Sequence, residues 1–393
     1  MPQATGRLSA KNIPLDSHVY AAPIVVNGQV IVATEGNAVY SFTRDGAKNW
    51  SINLGSPTPR SSLPCGNIDP LGITGTPIYD AATKLVFVVA SIGSRVRHEL
   101  VAIDPDTGAP KWRRSVDLPG TDAQAMQQRG GLTILAGRVW VPFGGLAGDC
   151  GAYKGRLVGV PTGNGEPVAY TVPTTREAGI WTPPGPSVLA GHLLVSVGNG
   201  QSVGGSYDFS DSVLELDGPK LVDFFSPTTW ASDNAADLDL GSQGPAVVQE
   251  KWIFIAGKSG MAYVLRAGRL GGIGGEVSQA KLCKSFGGTA VVGSTVFVPC
   301  ADGVRAVQID NAGHLKTLWR AASSTQGSPV VGGGRVYALD RAARMLRALD
   351  ATSGRVREQV TVGAVSRFAT PAISGSRLFV GTLSGLAIVE AAR

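Results

Sequence analysis

The sequence predicts an all-β protein: one propeller of eight four-stranded antiparallel blades, spanning residues 1–393 as a single domain. Three observations carry this. The chain has 53 Gly and 24 Pro with only 16% charged residues, a composition of tight turns and short strands rather than long helices. A strand–turn–strand unit recurs along its whole length. A third strand, ending in a glycine turn, follows several of these units, and a repeat of roughly 40 to 55 residues with four short strands is the signature of propeller blades.

The units read, in order, "AAPIVVNGQVIVAT" (21–34), "GTPIYDAATKLVFVVA" (75–90), "GLTILAGRVWVPFG" (131–144) and "GPSVLAGHLLVSVG" (185–198). They continue as "GPAVVQEKWIFIAG" (244–257), "GTAVVGSTVFVPC" (288–300), "GSPVVGGGRVYAL" (327–339) and "ATPAISGSRLFVG" (369–381). Each opens on small residues, often with Pro, and then turns back on itself. The third strands are "VYSFTRDGAKNW", "LVAIDPDTGAPKW", "VRAVQIDNAGHLKTLW" and "LRALDATSGRV". Trp50, Trp112 and Trp319 follow those turns, with Glu358 at the equivalent place in the seventh unit. A flat indole there is expected to lie against the next blade, as packing rather than chemistry. The eighth unit shows three strands before the chain ends at Arg393, so residues near Arg7 to Ile13 are expected to supply its outer strand and cover an open edge.

Composition also limits function. No run of 18 apolar residues exists, so no membrane-spanning helix is predicted. The opening "MPQATGRLSAKNIPLDSHVY" shows no export signal. The net charge of +6 is scattered, without a basic stripe, which argues against nucleic acid. Cys65, Cys150, Cys283 and Cys300 allow three pairings and form no zinc spacing. Their even number fits two disulfides and an extracytoplasmic, oxidising compartment, secreted or in the cell envelope; four buried thiols are the other reading. His18, His98, His192 and His314 are dispersed, read as surface turn residues, and offer no triad. Gly200-Gln-Ser202-Val-Gly204 has the letters of a nucleophile elbow but is followed by a strand, so it reads as a loop. In "DNAADLDLG" (233–241), Asn234 and Asp239 read as shaping a turn before the fifth inner strand.

The pattern Ala102-x-Asp104-x-x-Thr107-Gly108-x-x-x-Trp112 resembles the docking motif of the quinoprotein alcohol dehydrogenases. The resemblance implies an eight-bladed propeller that holds pyrroloquinoline quinone (PQQ) and calcium at one end of its channel, with an alcohol or sugar-like substrate. Related non-enzymatic propellers share the repeat, including the lipoprotein of the outer-membrane assembly machinery. "GIWTPPGPSV" is similar to the segment whose tryptophan floors the quinone, which implies that role for Trp181. "VSVGNG" implies Asn199 as a metal contact, and "AGKSGMAYVL" implies Lys258 as the cation on the quinone carbonyls. A planar cofactor on indole, a hard cation on oxygen and a charge on an electrophilic carbonyl form a coherent set.

Four positions depart from the family's pattern. The lid of adjacent cysteines is reduced to Cys65, and the arginine after it falls at Leu71. The metal-binding glutamate falls at Cys150, with Asp149 one residue early and so the implied metal contact. The catalytic aspartate falls at Ser206, with Asp208 two residues late and so the implied base. The same correspondence implies a Cys65–Cys150 disulfide across the channel mouth, leaving Cys283–Cys300 to pair within a blade. Two functions follow. One is a PQQ-dependent dehydrogenase with Asp208 and Lys258 catalytic. The other is a non-redox extracytoplasmic propeller that has lost PQQ and binds a small-molecule ligand or a protein partner.

Overall fold

The computed structural model describes residues 8–325 and 327–391. Among them, eight sheets follow one another in chain order, each built on an inner hairpin that continues outward through a third and a fourth strand. The inner hairpin of the first blade, Ile24–Val26 and Gln29–Ala33, is closed by Asn27 and Gly28 at φ 50 and 80. Two left-handed residues in succession match the twist of the flanking strands, and Asn-Gly is the pair best suited to supply them. Gln249 and Glu250 make the same turn in the fifth blade, at φ 52 and 53, without a glycine.

Strand burial decides which segment sits where. The second strand of the fifth blade, Trp252–Ala256, is buried at every position, whereas the outer strands Lys48–Asn53 and Val356–Thr361 alternate between exposed and half-buried residues. Strands covered on both faces read as continuous apolar runs, and outer strands alternate. The core therefore lies between sheets: Phe87, Val89 and Leu100 of the second blade pack with Val139, Val141 and Val158 of the third.

Leu8–Pro14 supplies the outer strand of the last blade, pairing antiparallel with Gly385–Ala391 from Leu8↔Ala391 to Pro14↔Gly385. Joining the two ends of the chain in one sheet closes the ring and covers the edge that Gly385–Ala391 would expose. Arg7, at the start of the expected strand, lies outside the described residues. Two sheets are more elaborate than the repeat predicts: Met126–Gln127 adds to the third, and Gly272–Ile273 pairs parallel with the outer strand of the fourth.

All three tryptophans pack against the seam with the next blade, as the repeat implies, and two of them also hydrogen-bond across it. The Trp50 indole N–H donates to the Pro105 carbonyl of the second blade at 2.9 Å, and Trp319 makes the same bond to Ala351 of the seventh at 3.0 Å. Trp112 packs on Phe87 of its own blade, with ring centroids 5.5 Å apart, and on the cluster that holds Val139 and Val158 of the third, with the Arg114 guanidinium 4.3 Å from its ring. Glu358 pairs with Arg335 of its own sheet at 3.7 Å.

Cys65 is joined to Cys150 with Cα atoms 6.1 Å apart, and Cys283 to Cys300 at 5.6 Å. The first closes a loop of 85 residues and the second one of 17. Loop entropy makes the long one the stronger constraint on the unfolded chain, about 4–5 against about 3 kcal/mol. No helix among the described residues is long and apolar enough to cross a membrane. Two histidines differ from their sequence reading, and one of them, His192, opens the strand His192–Val197, half-buried and bonded to Glu215 at 2.6 Å. His98 is 1% exposed, bonded to Asp117 at 2.8 Å and packed edge-on to Phe143, because it falls on an inward position of Arg97–Ile103.

Candidate functional site

A pocket of about 240 Å³ opens where the turns between second and third strands meet the connectors that enter the inner strands. The turns bring Asp149, Asn199 and Lys258, and a connector brings Trp181, so these four residues share one pocket. The Trp181 indole is seated on Gly144, Gly179 and Gly198, where an added Cβ would fall 2.6–2.8 Å from its ring atoms. Only glycine permits that approach.

Three of the charges in the pocket, Lys258, Asp237 and Asp239, are spent on one another. Lys258 pairs with Asp237 at 2.8 Å and also with Asp239, whose other oxygen accepts the Asn199 N–H at 2.7 Å. Burial works against the ammonium, but Asp239 and Asp237 outweigh it and hold Lys258 above the ordinary lysine value. Asp149 accepts the Tyr153 hydroxyl at 2.6 Å, and burial, with Asp149 second, pushes that phenol upward. Asp239 thus does more than shape a turn: it is the buried anion that anchors Lys258.

The other predicted positions do not join this set. Asp208 does not line the pocket; its carboxylate accepts from the Thr174 hydroxyl at 2.9 Å and from the Ser210 hydroxyl at 2.5 Å. Ser206 is exposed. Leu71 is 2% exposed in an apolar cluster with Leu63, Ile68, Val96 and Leu146, beneath Cys65. Among the described residues, no group of three or more His, Cys, Asp or Glu is arranged to hold a metal ion.

Sequence reasoning missed the residues nearest the axis. Arg129 lies over the Phe368 ring at 4.4 Å, Arg367 over the Phe286 ring at 5.0 Å, and the two rings meet edge-on at 6.3 Å. Arg129 enters the third blade and Phe368 the eighth, so this stack bridges the channel. Behind it lies a second cavity of about 170 Å³ that shares Arg129, Arg367 and Phe368 with the first.

A repeat position carries the missed signal. Four residues ahead of the first residue of each inner strand stand Tyr20, Thr74, Arg129, Pro183, Ser242, Phe286 and Phe368, and each lines one or both cavities. Gln326, the remaining member, lies outside the described residues. Arg129 is the one charged residue among these seven, and it marks the charge at this level of the channel.

The geometry on hand is that of a propeller with a remodelled channel mouth. The family model described as outer membrane protein assembly factor BamB, a PQQ-repeat family, matches residues 4–204 and 225–393. The chain belongs to that family. The unmatched stretch between those segments contains Ser206 and Asp208. BamB from Moraxella catarrhalis shares the fold with a TM-score of 0.65 at 16% identity, over 98% of each chain. The computationally designed Ika8 protein aligns with a TM-score of 0.62 at 10% identity, over 96% of this chain and 98% of its own. The Cps50 (Swd1) β-propeller domain of Myceliophteria thermophila aligns at 0.52 and 8% identity, over 98% and 100%. At these identities the likeness is one of fold. No curated protein matches the chain significantly.

Proposed function

We propose that this propeller is a non-redox binding protein of the cell envelope, acting on a partner rather than turning over a substrate. The observation that carries the reading is the Lys258 clamp. An ammonium held by Asp237 and Asp239 has its charge compensated within the protein and is not available to polarise a quinone carbonyl. The remaining positions support the same reading. Leu71 puts an apolar side chain where a cofactor carboxylate would need a cation, Asp149 is bonded to Tyr153, and Asp208 stands apart from the pocket. These residues do not fit an anionic, metal-bound quinone. Family membership supports a protein partner, since the family is described as an assembly factor. Two disulfides and that family are consistent with an extracytoplasmic place.

The shared pocket of Trp181, Asn199, Asp149 and Lys258 favours the competing dehydrogenase reading, and one titration separates the two. PQQ with calcium is added while the quinone absorbance and the melting temperature are followed; the binding-protein reading expects neither to change. A saturable rise in melting temperature that Trp181→Ala abolishes would reinstate the dehydrogenase.

A further inference from the structure

We propose that the inner cavity, behind the Arg129–Phe368 bridge, is a binding site for a compact oxyanion of the phosphate or carboxylate type, with Arg129 as its anchoring cation. The site is separate from Trp181, Asn199 and Lys258, none of which lines it, and it stands whether or not the mouth binds a quinone.

The lining is rich in donors. Arg129 has its face against Phe368, and among the described residues no carboxylate lies within ion-pair distance of it. The carboxylate whose charge acts on it, Glu35, is fully buried, bonded to the Gly72 amide at 2.6 Å, and does not line the cavity. Arg367 adds a second guanidinium to the wall. The Thr289 hydroxyl is buried with no hydrogen-bond partner among the described residues. Thr76 already accepts the Ala22 N–H at 3.0 Å and Ser328 the Gly288 N–H at 2.7 Å, so each hydroxyl keeps its proton to give.

Arg129 is only partly exposed, and a guanidinium short of water with no anion beside it is costly; a charge-assisted pair with a planar or tetrahedral oxyanion is the chemistry that relieves it. Several hydroxyl donors set in different directions around the cation suit an anion with more than one oxygen better than a single-atom halide. At about 170 Å³ the cavity exceeds what one water needs, yet is smaller than the sites that take drug-sized ligands, of roughly 300–1,000 Å³.

Calorimetry and thermal unfolding of the full chain would test this, with inorganic phosphate and acetate as the two probes and chloride at equal ionic strength as control. The expected result is saturable binding and a raised melting temperature with at least one oxyanion and not with chloride. Arg129→Gln should weaken binding at least tenfold. Thr289→Val, which keeps the side-chain shape, should weaken it several-fold with the fold intact by circular dichroism, and it carries the test if Arg129→Gln does not fold. No binding of either oxyanion at tens of millimolar, or binding that both substitutions leave unchanged, would overturn the proposal.

Discussion

The Trp50 indole of the first blade covers Gly108 of the second so closely that a Cβ on that glycine would come within 2.6 Å of the ring. Gly108 also sits at φ +75, a conformation that L side chains rarely adopt. The same pairing recurs between Trp319 and Gly354, at φ +70. Each glycine is thus required twice, by its backbone and by the indole above it. The tryptophan in turn spans the seam between two sheets, burying apolar area and making a hydrogen bond to the neighbouring turn.

This contact predicts a coupling. Trp50→Ala should cost about 2–4 kcal/mol, below the range for a fully buried tryptophan because Trp50 is half-buried. Gly108→Ala should cost about 1–3 kcal/mol in the wild-type background, from backbone strain and collision. In the Trp50→Ala background it should cost less, since only the strain remains. Urea denaturation of the four proteins measures the difference; strict additivity would show that the ring and the glycine do not press on each other.

The Lys258 clamp predicts a stability effect that a purely cofactor-facing lysine would not show. Lys258→Met leaves Asp239, 7% exposed in its side chain, without its cation. Removing one member of a fully buried pair costs roughly 3–5 kcal/mol, and the 24% exposure of the Lys258 side chain lowers that to about 2–3. Lys258→Met with Asp239→Asn should be more stable than the sum of the single losses. Denaturation midpoints at neutral pH would check this, and an unchanged midpoint for Lys258→Met would remove the clamp as a structural element.

Glu35 predicts a pH dependence. Burial pushes its carboxyl from 4.5 up to about 7, against the Gly72 amide that bonds to its anion. The folded state therefore holds the proton more tightly than the unfolded state. Stability from this group is complete below pH 4.5 and falls as pH rises to about 7, a loss of roughly 3 kcal/mol. Glu35→Gln has no proton to lose, so its stability relative to wild type should grow by that amount between pH 4.5 and 8. Parallel urea curves at the two pH values would show it, and a constant difference would mean that Glu35 is ionised throughout.

The candidate site was only partly legible in the sequence. Trp181, Asn199 and Lys258 stand in segments with recognisable neighbours, so their meeting in one pocket could be anticipated. The state of Lys258 could not, because Asp237 and Asp239 belong to a different connector, some 20 residues earlier in the chain. Asp208 follows a loop whose path no pattern specifies, and the structure turns it towards Thr174 and Ser210. Arg129, Phe286 and Phe368 were hidden for another reason. Each is an ordinary residue in its own unit, and only superposing the units on their inner strands shows them at one position facing the axis.

By itself the sequence determined the architecture: short apolar strands, tight turns and a docking tryptophan are local properties, and eight copies of the unit close into a ring of sheets. The tertiary structure alone decided which charges meet. Side chains such as Arg129 and Phe368 lie more than 200 residues apart and touch at 4.4 Å only because the ring closes, so their chemistry is a property of closure.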